Sequence, residues 1–263
     1  LEGTMEISAE QLNEWLSFYF WPFMRVTGVM VIAPVFAART IPVRARLLAT
    51  VLITFTIAPT LPPVPLLDPF TIAGVIQIIN QFVIGFAMGF VVFMIFAAFT
   101  VGAQTMGMSM GLGFATAIDP NNGVQVPVLA QFYVLFATLI FLAINGHLMI
   151  LDTLKESFVT MPISHNWLSQ DSVWSLVSWG KMMFIGGVKM ALPVIVTLLL
   201  INISLGVVTR AAPQLNIFAV GFPISIAVGF WLVSISFPKL FPRLTELMES
   251  AFSTIFAFRL VGG

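Results

Sequence analysis

Apolar residues run through this chain in long blocks that few polar positions interrupt. Between Asp68 and Asp119 lie 50 residues without an Asp, Glu, Lys or Arg, and between Arg210 and Lys239 a further 28. About 20 such residues carry a helix across the hydrocarbon core of a bilayer. The first predicted helix runs from about Ala9 to Val35 and carries Arg25 near its middle, where an unpaired guanidinium facing lipid is expensive. A second runs from Leu47 into "APTLPPVPLLDP", whose four prolines between Pro59 and Pro65 end any helix. The third, Phe70 to about Gln104, is longer than a perpendicular crossing needs, so tilt, a break or burial in a larger assembly is expected. The fourth is Val126 to Leu151 and contains "NGH". The fifth starts near Ser175, passes Lys181 and Lys189, and is uncharged from Met190 to Thr209; the sixth is Ile217 to Phe237. Beyond Pro238 the period changes. Leu240, Leu244, Leu247, Met248, Ala251, Phe252 and Ile255 recur three or four apart, with Arg243, Glu246 and Glu249 between them. That spacing predicts an amphipathic helix, lying on a bilayer surface or packing on a partner. The fold class expected is an all-α membrane protein with about six long hydrophobic helices and a C-terminal amphipathic helix.

Composition sharpens this picture. Of 263 residues 59% are hydrophobic and 8% charged, against about 25% charged in an ordinary soluble domain. The net charge of zero invites no nucleic acid, and the absence of cysteine excludes disulfides and thiolate metal sites. "LEGT" before Met5 reads as an expression scar and is set aside as residues 1–4. Ile7, Ser8, Gln11 and Leu12 supply a capping box with its staple for the first helix. No Lys or Arg precedes Arg25, so the positive flank of a cleaved signal peptide is missing and the first span is expected to stay. Arg39, Arg44 and Arg46 fall within eight residues and predict a cytoplasmic loop, with the amino terminus outside. Six crossings then leave Lys239, Arg243 and Arg259 outside as well, against the same bias.

Candidate chemistry is sparse. No Asp or Glu falls within an apolar run, whereas proton relays and cation sites in membranes need them. The intruding charges are Arg25, Lys181 and Lys189, which snorkel to an interface, cap a neighbour's carbonyls, or act directly. No nucleophile with its base, phosphate loop or metal spacing is present, so no enzyme and no cofactor are expected. His147 at the end of its run is expected to be a hydrogen-bonded packing residue. In "AQTMGMSMGLGFATAIDPNNGVQVP", Ala103 to Pro127, Met106, Met108 and Met110 alternate with small residues among Gly107, Gly111 and Gly113. Methionine fills irregular gaps and reseals after displacement, so this stretch suits a flexible plug or else forms a mobile solvent loop. "GFAMG" sets Gly85 and Gly89 one turn apart, which lets another helix approach closely. In "TRAAPQLNIFAVGFP", Arg210 and Pro213 end the fifth helix, while Gln214 and Asn216 meet either its free backbone groups or another subunit.

Taken in order, "IPVRAR", "IGFAMGF", "AQTMGMSMGLGFATAIDP", "INGHLMIL", "ESFVTMP" and "TRAAPQLNIFAVGFP" make the chain resemble the FliR family, whose relatives in virulence type III secretion are SctT and SpaR. The resemblance covers nearly all of Met5 to Phe258. It implies a non-enzymatic component of the flagellar type III export gate, an inner-membrane part of the basal body that joins FliP and FliQ. Unfolded flagellar subunits would leave the cytoplasm through that gate, part of which would be raised toward the periplasm. It further implies one domain, 5–263, made of a FliP-like part, 5–174, and a FliQ-like hairpin with the amphipathic helix, 175–263. The family's plug falls on Met106, Met108, Met110, Gly111, Phe114 and Asp119. Arg210, Pro213, Gln214 and Asn216 would dock FlhB at the cytoplasmic entrance. Gln81 stands where the family frequently has an acidic residue. The competing reading is a small secondary transporter, which needs a midplane site and usually inverted repeats; neither a convincing repeat nor a coupling carboxylate is visible.

Overall fold

A computed structural model describes residues 9–38, 40–63, 69–112, 128–164, 166–211 and 217–259. Among them the regular structure is helical: α1 (Ala9–Ile32), α2 (Val43–Ile57), α3 (Ile72–Ser109), α4 (Val128–Ala143), α5 (Gly146–Thr160), α6 (Gln170–Ala211), α7 (Ile217–Ser236) and α8 (Leu240–Phe256). Single 3₁₀ turns at Ala58–Thr60 and Phe237–Lys239 follow α2 and α7. Four of these helical stretches are long and apolar enough to cross a membrane, or five if α4 and α5 count as one broken span. The expected architecture is therefore the observed one, with the count of six approximate.

Three boundaries differ from the sequence reading, each for a local reason. The third helix continues through Ser109, because Gly102 and Gly107 lie within an otherwise strong apolar pattern that tolerates them. The fourth span is interrupted at Asn145, whose φ of 58° no helix interior accepts, so α4 ends and α5 begins anew. The fifth starts at Gln170, where Ser169 Oγ accepts from the Ser172 amide at 3.2 Å, an N-cap just outside the apolar run. Ser8 and Ile7 of the expected first cap lie outside the described residues.

The chain divides into two compact units. One comprises residues 1–93, 145–179 and 250–263. In it α1 and α3 run parallel and almost touch. A methyl on Gly28 would strike the carbonyl of Phe82 and the Phe86 nitrogen, one on Gly85 the carbonyl of Arg25, and one on Gly89 the Ile32 side chain at 2.7 Å. Trp179 Nε1 donates to the Val91 carbonyl at 3.0 Å, and the Ser172 hydroxyl donates to the Arg259 carbonyl at 3.0 Å. After α1, Arg46 holds the turn into α2 by donating to Phe36 O and Ala38 O.

The other unit comprises residues 94–144 and 180–249. Here Gly102 and Gly187 bring α3 and α6 together: a methyl on Gly187 would lie 3.0 Å from both the Ala98 carbonyl and the Gly102 nitrogen. Phe96 meets Phe141 edge-on at 5.5 Å, and Phe237 is wedged against Phe132 and Phe136. The apolar side of α8 answers the question its pattern left open. Leu240, Leu244 and Met248 in this unit, and Ala251, Phe252 and Ile255 where α8 continues in the first, are buried within the protein and are not free for a bilayer surface.

Glycine contacts of this kind discriminate sharply between positions. Gly180 has open space where a Cβ would go, so Gly180→Ala is expected to be neutral or to add up to about 1 kcal/mol of helix stability. Gly85→Ala is expected to force α1 off α3 and to lower the thermal midpoint of the detergent-purified protein by many degrees. Size-exclusion survival after heating measures both.

Candidate functional site

Arg25 is the most constrained polar side chain in the described protein. It sits on α1 with none of its surface exposed. Its Nε donates to Gln81 Oε1 at 2.8 Å from α3. One terminal nitrogen donates to the Ser157 carbonyl at 2.8 Å and to the Ser157 hydroxyl at 3.1 Å; the other donates to the Met161 carbonyl at 2.8 Å. The guanidinium also lies over the Phe158 ring, 4.1 Å from its centroid. Ser157 and Met161 belong to the last turn of α5 and the residue that ends it. The charge is thus matched by the negative end of a helix, an aromatic face and neutral acceptors. Among the described residues no carboxylate pairs with it, and Gln81 Nε2 has no hydrogen-bond partner. Of the two structural roles expected for Arg25, capping a neighbour's carbonyls is the one observed and snorkelling to an interface is not: a planar fork of donors, fully enclosed, closes the end of α5 where the orphan carbonyls need it.

One residue earlier on α3, Asn80 Nδ2 donates to Asn166 O at 2.8 Å and Ser164 O at 3.4 Å. Gln77, Asn80 and Gln81 form a buried polar stripe on an otherwise apolar helix. Sequence reasoning missed this cluster, although polar residues at i, i+3 and i+4 in a charge-free run were its available signal.

The residues predicted for a plug are divided by the end of α3. Met106 and Met108 are helical and point apart, Met106 fully buried and Met108 66% exposed. Their reading as part of a pliable loop is corrected. Met110 is fully buried against α7, where a methyl on Gly229 would meet its Cγ at 2.5 Å. Gly111 takes a left-handed φ of 83°, which ends the helix, and its own Cβ position faces the Phe222 ring. Phe114 and Asp119 lie outside the described residues. Leu112 and Val128, which flank that gap, line an apolar cavity of about 680 Å³ with Phe132, Phe230, Val233 and Phe237. Of the docking residues, Arg210 is exposed in the last turn of α6, while Pro213, Gln214 and Asn216 lie outside the described residues. Gly85 and Gly89 face α1 of the same chain. His147 Nδ1 is buried with no hydrogen-bond partner among the described residues, so the expected bond is not made there. No three His, Asp or Glu side chains gather for a metal among the described residues.

Removing the Arg25 fork is expected to leave buried acceptors unpaired. Arg25→Met should cost at least about 3 kcal/mol and Arg25→Lys about 1–3 kcal/mol, since one ammonium cannot replace a planar fork. Gln81→Glu should be tolerated, because a carboxylate keeps the acceptor and removes the unpartnered Nε2. Urea or thermal unfolding in detergent ranks the three; a Gln81→Glu variant weaker than Arg25→Lys would contradict the account.

The comparisons with known proteins follow from the whole chain. Residues 16–251 match the family described as "Bacterial export proteins, family 1", and the chain belongs to that family. It is 38% identical over 254 residues to the flagellar biosynthetic protein FliR of Escherichia coli strain K12, covering 96% of this chain and 95% of that one. It is 40% identical over 241 residues to the protein of the same name from Pectobacterium carotovorum, covering 92% of each. With that of Bacillus subtilis it shares 28% identity over 236 residues, 89% of this chain and 91% of the relative.

Proposed function

We propose that this member of the bacterial export proteins, family 1, is a non-enzymatic subunit of the flagellar protein export apparatus in the bacterial inner membrane. In this reading it joins FliP and FliQ in the type III export gate of the basal body, and FlhB closes around the cytoplasmic entrance. Unfolded flagellar subunits pass through the assembled channel. The observation that carries the reading is likeness along nearly the whole chain to relatives whose names are all flagellar. The absence of any charged acid from the apolar runs supports an assembly part over an ion-coupled transporter. So does the apolar surface left over: only 17% of the α6 window is buried, against 61% for α3.

Within that assembly the division into a FliP-like part, 5–174, and a FliQ-like part, 175–263, is retained as a proposal. The plug is assigned to Met106 through Asp119. In its described portion α3 packs on its neighbours and ends at Gly111, whose left-handed backbone turns the chain out of the helix. Arg210, exposed at the end of α6, is assigned to docking.

The test is co-expression of this chain with FliP and FliQ from the same organism, followed by native mass spectrometry. A discrete complex with one or very few copies of this chain is expected; a stable monomer or homodimer that ignores both partners would sink the proposal. In cells, joint substitution of Met106, Met108 and Met110 by Ala is expected to let small solutes leak through the membrane. Normal permeability together with normal export would remove the plug assignment. Arg210→Glu is expected to reduce swimming while the protein stays in the membrane, and unchanged motility would refute the docking role.

A further inference from the structure

Three cations that the export reading leaves unused converge on one place in the second unit. Lys189 from α6, Lys239 from the 3₁₀ turn and Arg243 from the first turn of α8 line a single cavity of about 80 Å³. Tyr133 from α4 and Ser236 from the end of α7 reach the same cavity, the Tyr133 ring buried and the Ser236 hydroxyl donating to the Val233 carbonyl at 3.0 Å. Arg243 is paired with Glu246, three residues further along α8. Lys189 and Lys239 have no carboxylate within ion-pair distance among the described residues. Two lysines without an ion-pair partner among the described residues therefore line one cavity, with Arg243, Tyr133 and Ser236 beside them. Space of this size holds a few water molecules or one small oxyanion and no side of a helix.

What lies next to the cavity narrows the ligand further. Along α6, Val188 and Leu192 flank Lys189 and are 48% and 52% exposed, and Phe241 follows Lys239 on α8 at 51%. A free anion would satisfy the lysines and leave those faces bare. We propose that this cavity binds an anionic phospholipid, its phosphate between Lys189 and Lys239 and its acyl chains along the apolar face that includes Val188 and Leu192. Basic pockets between membrane helices hold anionic headgroups on this principle, each Lys or Arg contributing through charge near the surface.

The experiment uses the full chain purified in a neutral detergent and read by native mass spectrometry. It is titrated with dioleoylphosphatidylglycerol or dioleoylphosphatidylcholine, with and without inorganic phosphate. The wild type is expected to hold phosphatidylglycerol at least about tenfold more tightly than phosphatidylcholine, with a loss of about fivefold for each lysine removed in Lys189→Gln and Lys239→Gln. Lys155→Gln, on α5 in the other unit, is expected to change nothing, and the Lys189→Arg/Lys239→Arg pair to retain the preference. A wild type with no preference overturns the proposal whatever the variants do. So does a preference that survives loss of both lysines, or one that falls equally in Lys155→Gln. Displacement of the lipid by equimolar inorganic phosphate would assign the site to the free anion instead. Loss of FliP or FliQ from the Lys189→Gln/Lys239→Gln complex with lipid preference intact would assign the lysines to a protein contact.

Discussion

A guanidinium enclosed in apolar surroundings must find acceptors for its donors, and the first unit is arranged around how Arg25 does so. Placing a charge there costs several kcal/mol unless its fork is filled. Filling it requires α5 to end at that point, because carbonyls accept freely only in a helix's last turn. It also requires Gln81 at the matching level of α3 and Phe158 alongside. The backbone of Arg25 presses on Gly85 at the same level, so one residue sets both the polar contact and the steric one. Helix α1 cannot slide along α3 by a turn without breaking the two together.

Such double constraints matter more here than in a water-soluble protein. In lipid, apolar side chains gain little by leaving their surroundings, and helices associate through close packing and hydrogen bonds. The two units use the same device at different sites: Gly28, Gly85 and Gly89 in the first, Gly102, Gly187 and Gly229 in the second. Where the backbones approach, larger residues such as Met110, Met190 and Ile32 lie over the missing side chain. The flexible thioether is suited to these gaps, which gives the methionines near the end of α3 a packing role beside any part they play in the plug.

How much of this was legible in the sequence depends on the range of the cause. Helical class and approximate spans follow from runs of apolar residues, and these are local. The end of α3 was not legible because Gly107 is compatible with either helix or loop, and the choice falls to Met106 and Met110 finding buried places. The break at Asn145 was hidden in a run whose hydropathy is continuous on both sides. Arg25 stood out at once, but its partners at 81, 157 and 161 are 56 to 136 residues away, and no spacing rule connects them. The amphipathic pattern of α8 was read correctly, and only the fold could say that its apolar face was already covered.

Helix length supplies the last step. Exposed apolar side chains continue along α6 from Val173 to Val208. At about 1.5 Å per residue this face is about 50 Å long. The hydrocarbon core is about 30 Å thick, and a tilt of 40° lengthens the covered stretch only to about 40 Å. Lipid therefore cannot cover the whole face. The remainder would stand in headgroups or water, where contiguous apolar surface marks a site of association. Lys181 and Lys189 divide the face at about the level where one medium should give way to another, and Lys189 is the residue that opens on the cationic cavity. A chain built in this way needs protein against one end of α6 and lipid against the other, which is what membership of a membrane-embedded export assembly would provide.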